Sequence, residues 1–160
     1  MAIQTGTMKG PHAVVSAAQR WDGRIGVGAV LRGRGGVSLE KRGYVAEAED
    51  IEEALYRVLL DVLNDAMDRN LRGLAVLVDD AHVVEELNRQ SAVCDRVRPW
   101  FVQVRCRANS LWPARFEVAK PAQAFGARQL AQDALEHGLV RHRAGVTPLL
   151  PLRFAEDMVA

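Results

Sequence analysis

GLAVLVDDAHVVEELN, residues 73–88, is the stretch on which the fold turns. Residues 74–78 are apolar at every position, as in a central strand covered by helices on both faces. Gly73 opens that run, and Asp79 and Asp80 end it. A carboxylate there can cap the helix that follows, AHVVEELNRQ, by accepting from its first free N–H groups. A buried strand running straight into a capped helix reads as α/β.

Upstream lies the clearest periodicity in the chain. Ile51, Ala54, Leu55, Val58, Leu59, Val62, Leu63 and Ala66 recur at helical spacing across residues 47–69. Glu47, Glu49, Asp50, Glu52 and Glu53 crowd the start, where the helix dipole favours negative charge. Further upstream, HAVVSAAQ from His12, IGVGAVLRG and VSLEKRGYV read as three strands. They are separated by the Trp21-Asp22-Gly23-Arg24 turn and by Gly33, Gly35 and Gly36, connections short enough for an antiparallel meander. Gly33-x-Gly35-Gly36 is a hairpin turn rather than a phosphate loop, because no helix follows it directly.

Downstream, residues 92–112 fit two patterns. Phe101, Gln103 and Arg105 alternate with Val102, Val104 and Cys106 as in a strand. Trp100, Val104, Ala108 and Leu111 fall at helical spacing, with Pro99 suited to a first turn; helix is preferred. ARFEVAK is the last expected strand, ended by Pro121, and a helix follows over residues 124–136 with Gly138 as its stop.

The 160 residues carry a net charge of +1, with 49% hydrophobic and 26% charged residues. That balance excludes disorder throughout and gives no overall field favouring nucleic acid or membrane. Only Lys9, Lys41 and Lys120 among the 21 basic residues are lysine. The arginine excess suits bidentate phosphate recognition, and a GC-rich coding bias accounts for it equally well. Cys94 and Cys106 cannot build a disulfide framework or a four-ligand zinc site. Without a signal-like or membrane-spanning apolar run, the expectation is a soluble cytoplasmic protein with no membrane partner. The expected organisation is a leader over 1–11, a domain over 12–138 and a tail over 139–160.

In order and spacing these elements resemble the ribonuclease H-like superfamily, in particular compact reverse-transcriptase-like ribonuclease H domains. Three segments carry the resemblance: GVGAVLRGRGG (26–36), VDDAHVVEELN (78–88) and FEVAKPAQAFGARQLAQDAL (116–135). It implies a five-stranded mixed sheet, three antiparallel strands then two parallel, with helices on both faces. It also implies hydrolysis of the RNA strand of a hybrid by two magnesium ions bound to four acidic residues. Two such ions about 4 Å apart need carboxylates to neutralise their repulsion.

Carried over position by position, the four acids are not reproduced. The fourth-strand Asp matches Asp79. The first-strand Asp falls on Ser16 or Ala17, the helical Glu on Ile51, and the last Asp on Arg128. An active chain would have to draw its ligands from Asp22, Glu53, Asp79 and Asp80, with magnesium or manganese as cofactor and Asp79 as the metal residue. The resemblance therefore implies a degenerate, non-catalytic domain without a cofactor. Its expected role is binding RNA, DNA or a hybrid through Arg128, Arg20 and Arg24. The alternative is a protein-interaction scaffold working through residues 139–160, where TPLLPLRF places four large apolar residues away from any expected core element. A metal-dependent ribonuclease acting on RNA–DNA hybrids is the second alternative. Trp21, Trp100 and Trp112 could stack on bases, although buried or half-buried tryptophans are commoner.

Overall fold

The computed structural model describes residues 10–143. Three strands, β1 (His12–Gln19), β2 (Ile25–Arg32) and β3 (Ser38–Ala46), form the antiparallel meander. Helix α1 (Ile51–Asp68) then crosses over to β4 (Ala75–Val78), which pairs parallel to β1. Short α2 (Ala81–Leu87) and α3 (Arg98–Asn109) lead to β5 (Arg115–Val118), parallel to β4. Helix α4 (Pro121–His137) and a final strand β6 (Val140–Arg143) complete the sheet order β5-β4-β1-β2-β3-β6.

The sheet thus has six strands, where five were expected. The sixth lies in the segment assigned to the tail and pairs antiparallel with β3 from Gly43↔Val140 to Glu40↔Arg143. VRHR lacks apolar alternation, so periodicity does not reveal it; backbone pairing and an Arg141 Nε–Glu40 Oε2 hydrogen bond of 2.9 Å hold it. Within residues 92–112, Arg98–Asn109 form a helix rather than a strand, and Pro121, expected to end a strand, occupies the first position of α4. A proline tolerates that site because its missing N–H would have had no helical partner. The leader before Gly10 and the tail beyond Arg143, TPLLPLRF included, lie outside the described residues.

The two faces of the sheet are covered differently. On one, Ala13, Val15, Val27, Val76 and Val78 pack against α1, α2 and α3 through Leu55, Leu59, Leu63, Val83, Leu87 and Val104. On the other, Val14 and Leu77 meet Ala124 and Ala127 of α4. Here glycine decides the spacing. A Cβ on Gly28 would lie 2.0 Å from the Ala127 carbonyl oxygen, and one on Gly26 would lie 2.3 Å from that of Ala131. The alternating small residues of β2 therefore let α4 rest its backbone on the sheet. Among the described residues no helix is long and apolar enough to cross a membrane.

Candidate functional site

Ser16 stands in the middle of β1, almost fully buried, and pairs across the sheet with Gly28. Asp79 follows the last residue of β4, and its N–H donates to the Val15 carbonyl at 3.0 Å, extending the parallel ladder by one residue. That pairing brings the Asp79 carboxylate to Ser16, whose Oγ donates to Asp79 Oδ2 at 2.8 Å. The third member comes from α4. Because Gly28 lets Ala127 approach the sheet so closely, the next residue, Arg128, is carried over the end of β4. Its Nε donates to Asp79 Oδ2 at 2.7 Å and its Nη2 to Oδ1 at 2.8 Å. Both carboxylate oxygens are thus held by one planar fork, the strongest geometry available to such a pair.

Burial alone would push the Asp79 carboxyl up, but the hydrogen bonds from Arg128 and Ser16 and the Arg128 charge outweigh it, leaving Asp79 below its ordinary value. Asp79 is a carboxylate with its negative charge already balanced. The set offers one hydroxyl, one carboxylate and one guanidinium. Ile51, at the fourth carried-over position, opens α1 and packs against the core.

The other carboxylates named from the sequence are engaged elsewhere. Asp22, in the β1–β2 turn, accepts from Arg20 Nη2 at 2.6 Å and from the Arg24 N–H at 3.1 Å. Glu53 accepts from Arg57 Nε at 3.0 Å and lies 3.5 Å from Arg96 Nη1. Asp80 is the N-cap of α2 and accepts from the Val83 N–H at 2.9 Å. None of these three has a hydrogen bond or ion pair with Asp79, Ser16 or Arg128.

The basic residues divide in the same way. Arg20 grips Asp22 and also donates to the Leu135 carbonyl at 3.0 Å, tying the turn to the end of α4. Arg24 is exposed, and among the described residues its side chain has no ion pair or hydrogen bond. Beside it Trp21 is 91% exposed at the turn's tip. This turn follows the C-terminal end of β1, the sheet end that also carries Asp79. Trp100 is half-buried with Arg57 over its ring at 4.4 Å, and exposed Trp112 is covered by Arg72 at 5.4 Å. Gly28 and Ala127, which position Arg128, carry no functional group of their own, so nothing in the sequence marks them as part of the site.

A family model described as reverse transcriptase-like matches residues 14–134. Comparison with curated proteins finds no match. Among solved structures, RNase H1 from the halophilic archaeon Halobacterium salinarum is similar with a TM-score of 0.71 and 23% identity, over 79% of this chain and 97% of that one. An N-terminal RNase H domain from Mycobacterium tuberculosis, solved as a fusion with maltose binding protein, gives 0.72 and 24%, over 81% and 95%. LC11-RNase H1, solved in complex with an RNA/DNA hybrid, gives 0.70 and 16%, over 79% and 96%. At these identities the structural likeness speaks for the fold, while the family match spans most of the chain. The chain belongs to the reverse transcriptase-like family and has the ribonuclease H fold.

Proposed function

We propose that this protein is a non-catalytic ribonuclease H-like domain that binds nucleic acid. The observation that carries the reading is the bidentate Arg128–Asp79 pair, with Ser16 on the same carboxylate. Two divalent ions require several carboxylates and hard oxygen donors around them. A guanidinium that takes both oxygens of the one matched acid supplies the opposite. These residues do not fit the family's metal pair, and no hydrolytic step is assigned to them.

Nucleic-acid binding is supported by the end of the sheet on which this pair sits. The β1–β2 turn presents an exposed indole, Trp21, and exposed Arg24, whose side chain has no hydrogen bond or ion pair among the described residues. An aromatic face stacks on an unpaired or terminal base, and an exposed guanidinium meets a phosphate. Half-exposed Arg128 uses Nε and Nη2 on Asp79 and keeps Nη1 for a phosphate passing over the site. Arg20, locked to Asp22 and Leu135, holds the turn in place.

The test is fluorescence binding of hybrid, duplex and single strands at several salt concentrations, with a hybrid-cleavage assay in manganese. Salt-dependent binding weakened by Trp21→Ala and by Arg24→Glu, without cleavage, is the expected result. Cleavage abolished by Asp79→Asn would overturn the non-catalytic reading. Absence of binding to every strand at low salt would overturn the nucleic-acid reading and favour the scaffold alternative.

A further inference from the structure

Away from Asp79, the start of α1 and one face of α2 bring Glu52, His82 and Glu86 together, with one potential ligand atom from each lying within 4.8 Å of the others. His82 and Glu86 are four residues apart and so share a helix face. His82 Nε2 stands 3.5 Å from Glu52 Oε2 and 3.4 Å from Glu86 Oε2, both beyond ordinary charge-assisted hydrogen bonds. Glu86 is only 1% exposed, and its Oε1 accepts from the Tyr56 hydroxyl at 2.9 Å. Glu52 turns Oε1 towards Arg96 at 3.3 Å, while its Oε2 faces His82 and the Glu86 carboxyl. Two carboxylates brought this close, one of them almost fully buried, repel each other, and a cation between them would relieve that cost.

We propose that Glu52, His82 and Glu86 form a binding site for a single divalent transition ion of the zinc type. At zinc–ligand bonds of about 2.0–2.1 Å, two ligands of a tetrahedral ion lie about 3.3–3.4 Å apart. The two His82 distances match that edge. An imidazole among the donors favours zinc, cobalt or iron over magnesium, which prefers oxygen alone. The Tyr56 hydroxyl fixes the Glu86 carboxylate from behind, as outer-sphere partners of metal ligands do. Arg96 occupies only the far oxygen of Glu52. His82 is 60% exposed, so the fourth position faces solvent and would hold water. The site uses none of the residues assigned to nucleic-acid binding, and the two readings fail independently.

The test is titration of the full metal-free chain with cobalt(II) chloride and with zinc chloride, followed by calorimetry, visible absorption and thermal unfolding. One ion per chain is expected, with the d–d bands of four- or five-coordinate cobalt and a raised melting temperature. His82→Ala, at an exposed position that the fold does not need, should abolish the bands and the thermal shift. Glu86→Gln should do the same, and Tyr56→Phe should weaken binding about 10–100-fold. Asp79→Asn should leave stoichiometry and spectrum unchanged. No binding of either metal would overturn the site, as would binding that His82→Ala leaves intact or that Asp79→Asn removes.

Discussion

The two faces of the sheet are built from opposite materials. Against α1 the sheet presents branched side chains to Leu55, Val58, Leu59 and Leu63, all fully buried. Against α4 it presents Gly26, Gly28 and Gly43, and the helix answers with Ala124, Ala127, Ala131 and Ala134. The first face stabilises by area; the second gives up area for proximity. Only the second carries a member of the Ser16–Asp79–Arg128 site, because a helix resting its backbone on the sheet holds a side chain in a fixed place.

The largest effect expected from this contrast is on the α1 face. Leu55→Ala or Leu59→Ala should cost about 2–5 kcal/mol in denaturant unfolding, through lost burial and the cavity left behind. A loss below about 0.5 kcal/mol at both positions would mean that this face is not the main core.

On the α4 face a single added methyl group should act in the other sense. Gly28→Ala places a Cβ against the Ala127 carbonyl and should cost about 1–3 kcal/mol by overpacking. It should also lift Arg128 from Asp79, so that the Asp79 titration, followed by carboxyl NMR, moves up towards its ordinary value. An unchanged titration in a folded Gly28→Ala protein would break the link between close packing and the site.

The pair itself sets a smaller, pH-dependent contribution. Asp79 is held below its ordinary carboxyl value, so its folded form releases its proton more readily than its unfolded form. The stability this confers is fully present above that value and is lost as pH falls through the lower folded-state value. Arg128→Gln should raise the Asp79 titration and make the acid-side unfolding profile shallower. An identical profile in the variant would show that the pair adds nothing to stability.

The smallest effect concerns the proposed nucleic-acid surface. Arg24→Ala should reduce the slope of log binding constant against log salt by about one unit, because one fewer counterion is released. An unchanged slope would place the phosphate contact elsewhere on the sheet end.

Helix α1 and strand β4 were legible in the sequence because their burial repeats with the periods of helix and strand, and Asp79 was legible from its place after β4. Residues 12–46 showed an antiparallel meander through alternation and short turns. The sequence also placed Ser16, Asp79 and Arg128 in one family frame, although it could not choose between Ser16 and Ala17; the parallel pairing of β4 with β1 chooses Ser16.

Other features depended on contacts between distant segments. Strand β6 exists because β3 offers an open edge, and a four-residue polar segment carries no internal sign of that edge. Glu52 and Glu86 lie on different helices, so no local pattern in the sequence marks their cluster with His82. Arg128 read as a free cation over a vacated site, whereas the backbone approach at Gly28 makes it the partner of Asp79. The sequence by itself determined which residues repeat with the period of a strand or a helix, since those periods are local. Pairing between charges was decided only by the tertiary structure, because Coulomb and hydrogen-bond energies depend on distances that exist only once the chain has folded.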